Sequence, residues 1–138
     1  MAFWLLKTEP ESFSWANQVA RGVTGEPWTG VRNHQAKNFL KEMVQGDLAF
    51  FYHTGVEKQI VGIVEVQTSA YPDPTDPLWL AVDVVAQRPL TKPISLAEIK
   101  ADPLLAEMAL VTSPRLSVQP VGPNHWDHIL RKTGSAKC

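Results

Sequence analysis

Residues 47–54 read DLAFFYHT. Leu48 to Tyr52 form an apolar run without alternation, so this segment is a strand buried on both faces at the centre of a sheet. Gly46 ends the segment before it, and the short stretch GVEK at 55–58 turns the chain into a second strand, QIVGIVEVQTSAY at 59–71. YPDPTDP at 71–77 carries prolines at 72, 74 and 77, which make a rigid turn. LWLAVDVVAQ at 78–87 then alternates. Leu80, Val82 and Val84 face one way, Trp79, Ala81 and Asp83 the other.

Upstream, WTGVRNHQAKNFLKEM spans 28–43. Ala36, Phe39, Leu40 and Met43 recur at helical spacing, and Asn33 is a good N-cap. Trp28 sits in a loop marked by Gly25, Pro27 and Gly30. FWLLKT at 3–8 is a first strand, broken by Pro10. Ser12 or Ser14 caps a helix to about Arg21, stopped by Gly22. Downstream, SLAE at 95–98 is a capping box opening a short helix. RLSVQPV at 115–121 is the last strand, with Leu116 and Val118 inward and Arg115, Ser117 and Gln119 outward. NHWDHILRK at 124–132 is a terminal helix stopped by Gly134. About five strands with interspersed helices predict an α+β fold: a mixed, mostly antiparallel sheet that a small barrel would free of edges. No repeat or linker divides the chain, so residues 1–138 form one domain.

The chain has 138 residues, 44% hydrophobic and 20% charged, with a formal net charge of −1. Its pI is about 6.4. That balance argues against coating nucleic acid through bulk positive charge, which needs many Lys or Arg contacts to phosphate. Cys138 is the only cysteine, so an internal disulfide and a cysteine-based zinc site are excluded. The sequence shows neither a leader pattern nor an apolar run of membrane length, and a cytoplasmic protein without membrane contact is expected.

His125 and His128 stand three apart on the terminal helix but lack an obvious third ligand. They read as solvated flanks of a buried Trp126–Ile129 stripe, and no metal is expected. There is no Gly-x-Ser-x-Gly elbow and no phosphate-binding glycine loop. Glu9 and Glu11 suit either an acid/base pair or a helix start.

The remaining signal is a set of polar and aromatic residues at element ends: Lys7, Thr8, Trp28, Arg32, Asn33, Tyr52, His53, Arg115 and Ser117. Each has a plain structural use, such as a core plug for Trp28, a cap for Asn33 or an ion-pair partner for Arg115. Together they supply a stacking face, cations for phosphate and hydrogen-bonding groups for a base edge, which is what gripping one flipped nucleotide requires.

FWLLKTEPESFSW, W-x-GVRNHQAKNFLKEM, GDLAFFYHTG, IVGIVEV, AYPD, WLAVDV and RLSVQPV resemble, in order, the motifs of the EVE domain, a member of the PUA-like superfamily. The resemblance runs from about Phe3 to Leu130. It implies a small mixed β-barrel decorated by helices, and a module that binds a modified base in DNA or RNA. It places Lys7, Thr8, Trp28, Val31, Arg32, Asn33, Tyr52, His53, Arg115, Leu116 and Ser117 around the pocket. In that pocket Trp28 is expected to stack on the base, Arg32, Lys7 and the N-terminus of the second helix to hold a phosphate, and Asn33, Thr8 and Ser117 to read the base edge. Val31 and Leu116 offer an apolar corner for a methyl group. Many relatives carry Ser where this chain has Thr8, and YPDPTDPLW is shorter than the matching loop of larger members. A monomer without cofactor or metal is expected. The related ASCH domains suggest an alternative, a hydrolase acting on modified nucleosides with Lys7 and Glu9 as its reacting pair. A third reading is a protein-interaction module.

Near-neutral charge sets an expectation for any nucleic-acid complex. The logarithm of affinity should fall gently with the logarithm of salt, with a slope equivalent to fewer than about six released ions. Titrations at several salt concentrations measure it.

Overall fold

The computed structural model describes residues 1–135, so Cys138 lies outside the described residues. Seven strands and five helices follow one another as β1 (Phe3–Thr8), α1 (Trp15–Ala20), β2 (Glu26–Trp28), α2 (His34–Glu42), β3 (Leu48–His53), β4 (Gln59–Val66), β5 (Tyr71–Asp73), β6 (Asp76–Ser95), α3 (Leu96–Ala101), α4 (Ala109–Thr112), β7 (Val118–Val121) and α5 (Pro123–Lys132). The sheet order is β2-β6-β4-β3-β1-β7, with β5 on β6. Every pairing is antiparallel except β1 with β3. The sheet curls into a half-barrel, the PUA-like α+β architecture.

β3 lies between β1 and β4, as its unbroken apolar run predicts. Successive side chains go to opposite faces. Leu6 and Phe51 join one core with Trp28, Ala36, Leu40, Val64, Val82 and Val118. Leu5, Phe50 and Tyr52 join the other with Ile60, Ile63, Ile94, Ile99, Trp126 and Ile129. Each fully buried aromatic or aliphatic side chain contributes about 1.5–3 kcal/mol. The first core lies beneath α2, the second beneath α3–α5.

The helix caps follow the sequence. Ser14 and Ser95 each form a capping box, with Asn17 and Glu98 respectively. The Asn33 side chain accepts from the Ala36 N–H at 2.9 Å. Two short strands exceed the five expected. Glu26–Trp28 pairs with Val84–Val82, so Trp28 ends a strand rather than riding in a loop. Tyr71–Asp73 folds back on β6. β6 itself runs 20 residues, and register shifts along β4–β6 bend it around the half-barrel.

Two further expectations change. Gln119 points inward at 1% exposure, because the α4 segment folds over β7 and leaves its carbonyls to be satisfied. The Gln119 amide donates to Ala109, Ser113 and Leu116 carbonyls at 3.3, 3.1 and 2.9 Å. His128 is not a solvated flank: its Nε2 meets Asp102 at 2.7 Å, and Lys132 lies 3.2 Å from the same carboxylate. The His128 bond and the Leu104 N–H hold Asp102 down at about 2.

Gly25 is needed by geometry. Its φ is +75°, and a Cβ there would sit 2.7 Å from the Val84 carbonyl oxygen. Gly25→Ala should destabilise the fold by about 1–3 kcal/mol through this clash with backbone, read by denaturant unfolding.

Candidate functional site

The parallel pairing of β1 and β3 brings both strands to an end at one edge of the sheet. Lys7 lies beside Tyr52, and Thr8 beside His53. The N–H of Lys7 donates to the Ser117 carbonyl at 3.0 Å, which adds the start of the β7 segment to the same edge. Three concavities open around it.

The first, about 220 Å³, is lined by Lys7, Thr8, Phe13, Glu26, Pro27, Trp28 and Thr29. Trp28 forms part of its wall while remaining only 8% exposed. The indole is wedged nearly perpendicular to Phe13 (6.1 Å) and Phe51 (5.6 Å). The Lys7 ammonium donates to the Pro114 carbonyl at 2.7 Å and lies 5.9 Å from the Tyr52 ring centre. Burial lowers the Lys7 pKa. One of its three donors is used by Pro114, and two stay available to a ligand. Thr8 donates its hydroxyl proton to the Phe13 carbonyl at 2.8 Å, so it meets a ligand as an acceptor. Glu26 pairs with Arg21 at 2.8 Å, and that guanidinium lies 5.5 Å from the Phe13 ring centre.

The second, about 290 Å³, is lined by Asn33, Gln35, Ser113, Pro114, Arg115 and Leu116. It adjoins the first through the Lys7–Pro114 bond, because Lys7 lines one and Pro114 the other. Asn33 has its side-chain oxygen committed to the α2 cap, which leaves its NH₂ group for a ligand. Arg115 is exposed and forms no ion pair among the described residues.

The third, about 450 Å³, is lined by Glu9, Pro10, Glu11, Ser14, His53, Gly55, Val56 and Glu57. His53 is buried; its Nε2 accepts from the Trp15 N–H at 3.0 Å and its Nδ1 meets Glu57 at 2.9 Å. Those partners select the neutral tautomer with the proton on Nδ1. The His53 bond is also the main reason that the Glu57 pKa is lowered.

The residues singled out from sequence therefore divide. Lys7, Thr8 and Trp28 share one concavity; Asn33, Arg115 and Leu116 share its neighbour. Ser117 sits between β1 and Arg115 and bonds through its backbone. Val31 and Leu116, each 6% exposed, pack in the same core as Trp28. Tyr52 is 4% exposed and packs mainly in the opposite core, where burial raises its pKa. His53 faces the third concavity. Arg32 turns away, bonding Asp73 at 3.0 Å and Thr75 at 2.9 Å. Lys7 and Glu9 line different concavities. Phe13, Glu26, Pro27 and Thr29 were not legible as wall residues. The signal was available in EPW: read as a strand, it puts Glu26 and Trp28 on one face.

Asp73 explains the turn of Arg32. It is fully buried and accepts from the Gly30 N–H (2.9 Å), Arg32, and the Thr75 N–H and hydroxyl (2.8 and 2.6 Å). Burial alone would raise its pKa, but the bonds from Thr75, Gly30 and Arg32 outweigh it and hold the carboxyl well below its ordinary range. Asp73 thus ties the β5–β6 hairpin to the loop leading into α2. His/Cys/Asp/Glu groups suited to a metal ion are absent among the described residues.

The site is thus a small aromatic and polar concavity at the ends of the two parallel strands of a PUA-like half-barrel. The chain belongs to the EVE domain family, whose sequence profile matches residues 2–132. Chicken thymocyte nuclear protein 1 is 38% identical over 161 aligned positions, covering 92% of this chain and 66% of its own length. The chain thus spans just under two thirds of that relative. Rpa0253 of Rhodopseudomonas palustris, solved by NMR, is 48% identical, with a TM-score of 0.94 over 100% of this chain and 97% of its own. Human THYN1, solved in complex with DNA containing 5-methylcytosine, is 32% identical, with a TM-score of 0.90 over 99% of this chain and 100% of its own.

Removing the Asp73 charge should loosen the hairpin. Asp73→Asn should cost about 1–3 kcal/mol at neutral pH. The depressed pKa means that the ionised form is the stabilising one. The gap between wild type and variant should therefore be full above about pH 4 and shrink as pH falls below it, as measured by urea unfolding across pH.

Proposed function

We propose that this protein reads a modified base in nucleic acid by drawing one extruded nucleotide into the concavity walled by Trp28 and Phe13. The observation that carries the reading is the meeting of Lys7, Thr8, Phe13 and Trp28 in one small space, next to a second space holding Arg115. The human relative solved with 5-methylcytosine DNA supports it.

The roles follow from free hydrogen-bonding capacity. Trp28 and Phe13 supply apolar surface for a planar ring, and base–aromatic contact is worth about 1–3 kcal/mol. Lys7 and Thr8 supply donors and an acceptor at the ring edge. Arg115 and the Asn33 NH₂ group hold the flanking phosphate, which fixes register without reading sequence. Arg32 strengthens the frame instead, through Asp73. A buried methyl group adds only about 0.8 kcal/mol, or roughly fourfold in affinity.

Fluorescence polarisation with short oligonucleotides holding a single cytosine or 5-methylcytosine tests this. The methylated strand should bind about fourfold more tightly. Lys7→Met should weaken binding to both strands. Arg115→Ala should lower the salt slope by about one. Absence of binding to either strand would reject the reading. Conversion of a modified nucleoside, seen by mass spectrometry, would favour the hydrolase instead. Trp28→Ala is a poor probe, because an indole this buried costs about 3–5 kcal/mol of stability when truncated.

A further inference from the structure

Glu26 is the one carboxylate lining the Trp28 concavity. It reaches that wall because β2 puts Glu26 and Trp28 on the same face, two residues apart. Its Oε1 accepts from the Arg21 Nε at 2.8 Å, and its Oε2 has no hydrogen bond among the described residues. Arg21 balances the charge, so the carboxylate can stand near an anionic strand. The residue is more than a rim charge: its side chain is 24% exposed against 51% for Arg21.

We propose that Glu26 selects the base, accepting a hydrogen bond from an exocyclic amine and so favouring an aminopyrimidine over an oxopyrimidine. This inference rests on the base-reading function above and adds the residue that selects the base. An ionised carboxylate only accepts hydrogen bonds, and the Lys7 ammonium only donates them. The two groups line one cavity. Their pattern complements a cytosine edge, where an amine donor stands next to ring nitrogen and carbonyl acceptors. Thymine reverses the pattern, turning a carbonyl oxygen towards the carboxylate and a ring N–H towards the ammonium.

5-Methylcytosine and thymine carry the same methyl group on the same ring and differ at the amine, so this pair isolates the contribution of Glu26. Competition fluorescence polarisation would compare strands with 5-methylcytosine, thymine or cytosine at one position. The wild type should prefer 5-methylcytosine to thymine by about tenfold or more. Glu26→Gln, whose amide both donates and accepts, should bring the two within about threefold. Arg21→Gln breaks the same ion pair but leaves the carboxylate, and should keep the preference. Equal binding of 5-methylcytosine and thymine by the wild type would overturn the assignment and leave base reading standing. So would a full preference retained in Glu26→Gln, or one lost equally in Arg21→Gln. Failure of the wild type to bind any strand would instead reject base reading itself. The wild-type comparison needs no variant, so a folding defect in either mutant leaves the test intact.

Discussion

The parallel pairing of β1 with β3 is the constraint on which the molecule depends. Both strands are buried on both faces, Leu6 and Phe51 in one core, Leu5 and Phe50 in the other. A slip of one residue would exchange every side chain between the two cores and draw Lys7 inward, so the register is strongly specified. Parallel neighbours cannot be joined by a tight turn. The connection between them carries α1, β2 and α2, and that crossover places Phe13, Glu26, Trp28 and Asn33 around the ends of β1 and β3. Ligand sites in open sheets with parallel strands gather at such carboxyl ends.

The two ends of this strand pair differ in how far their polar groups are used. At the start of β1 and β3, Asp47 is 1% exposed. It accepts from the Ala2 N–H, the Trp4 indole N–H and the Val44 N–H, at 3.2, 3.0 and 3.1 Å. That carboxylate is occupied by structure. At the other end Lys7 spends one donor of three, Thr8 keeps its lone pairs, and Glu26 keeps one oxygen. Unspent hydrogen-bonding capacity beside aromatic rings separates this end from the structural one. Arg32 shows the converse: its guanidinium is engaged by Asp73, Thr75 and the Val31 carbonyl. Its contribution is therefore to the hairpin.

How much of this could be read in advance depended on the length of each signal. The central strand, α5, and α2 and α3 with their caps were legible because each spans more than one period of its pattern or carries a side-chain cap. β2 and β5 were not, since three residues hold barely one repeat of a strand. They form because β6 offers free edge hydrogen bonds, a tertiary cause. Gln119 was misplaced for a related reason: alternation tells the two faces apart but not whether both are covered. Lys7, Thr8 and Trp28 were assembled through the family resemblance. Glu26 and Phe13 escaped because a carboxylate beside an ion-pairing arginine, and a phenylalanine in a loop, look like ordinary surface and core until coordinates bring them together.

Trp28 serves the core and the site at once, and this shared use shapes recognition. Its ring packs against Phe13 and Phe51, and its strand is bonded to β6, so the wall cannot move without disturbing the core. A rigid wall does not adapt to a misfit ligand. An apolar group that is merely absent then costs little, about 0.8 kcal/mol for a methyl. A polar group left unpaired in such a wall costs more, about 1–3 kcal/mol. For a base held in this geometry, the mark would therefore be the weaker determinant, and the pattern of donors and acceptors on its edge the stronger one. On the proposed reading, selectivity for a methylated base would come first from excluding other bases through Lys7, Thr8 and Glu26, and only then from filling the last apolar space.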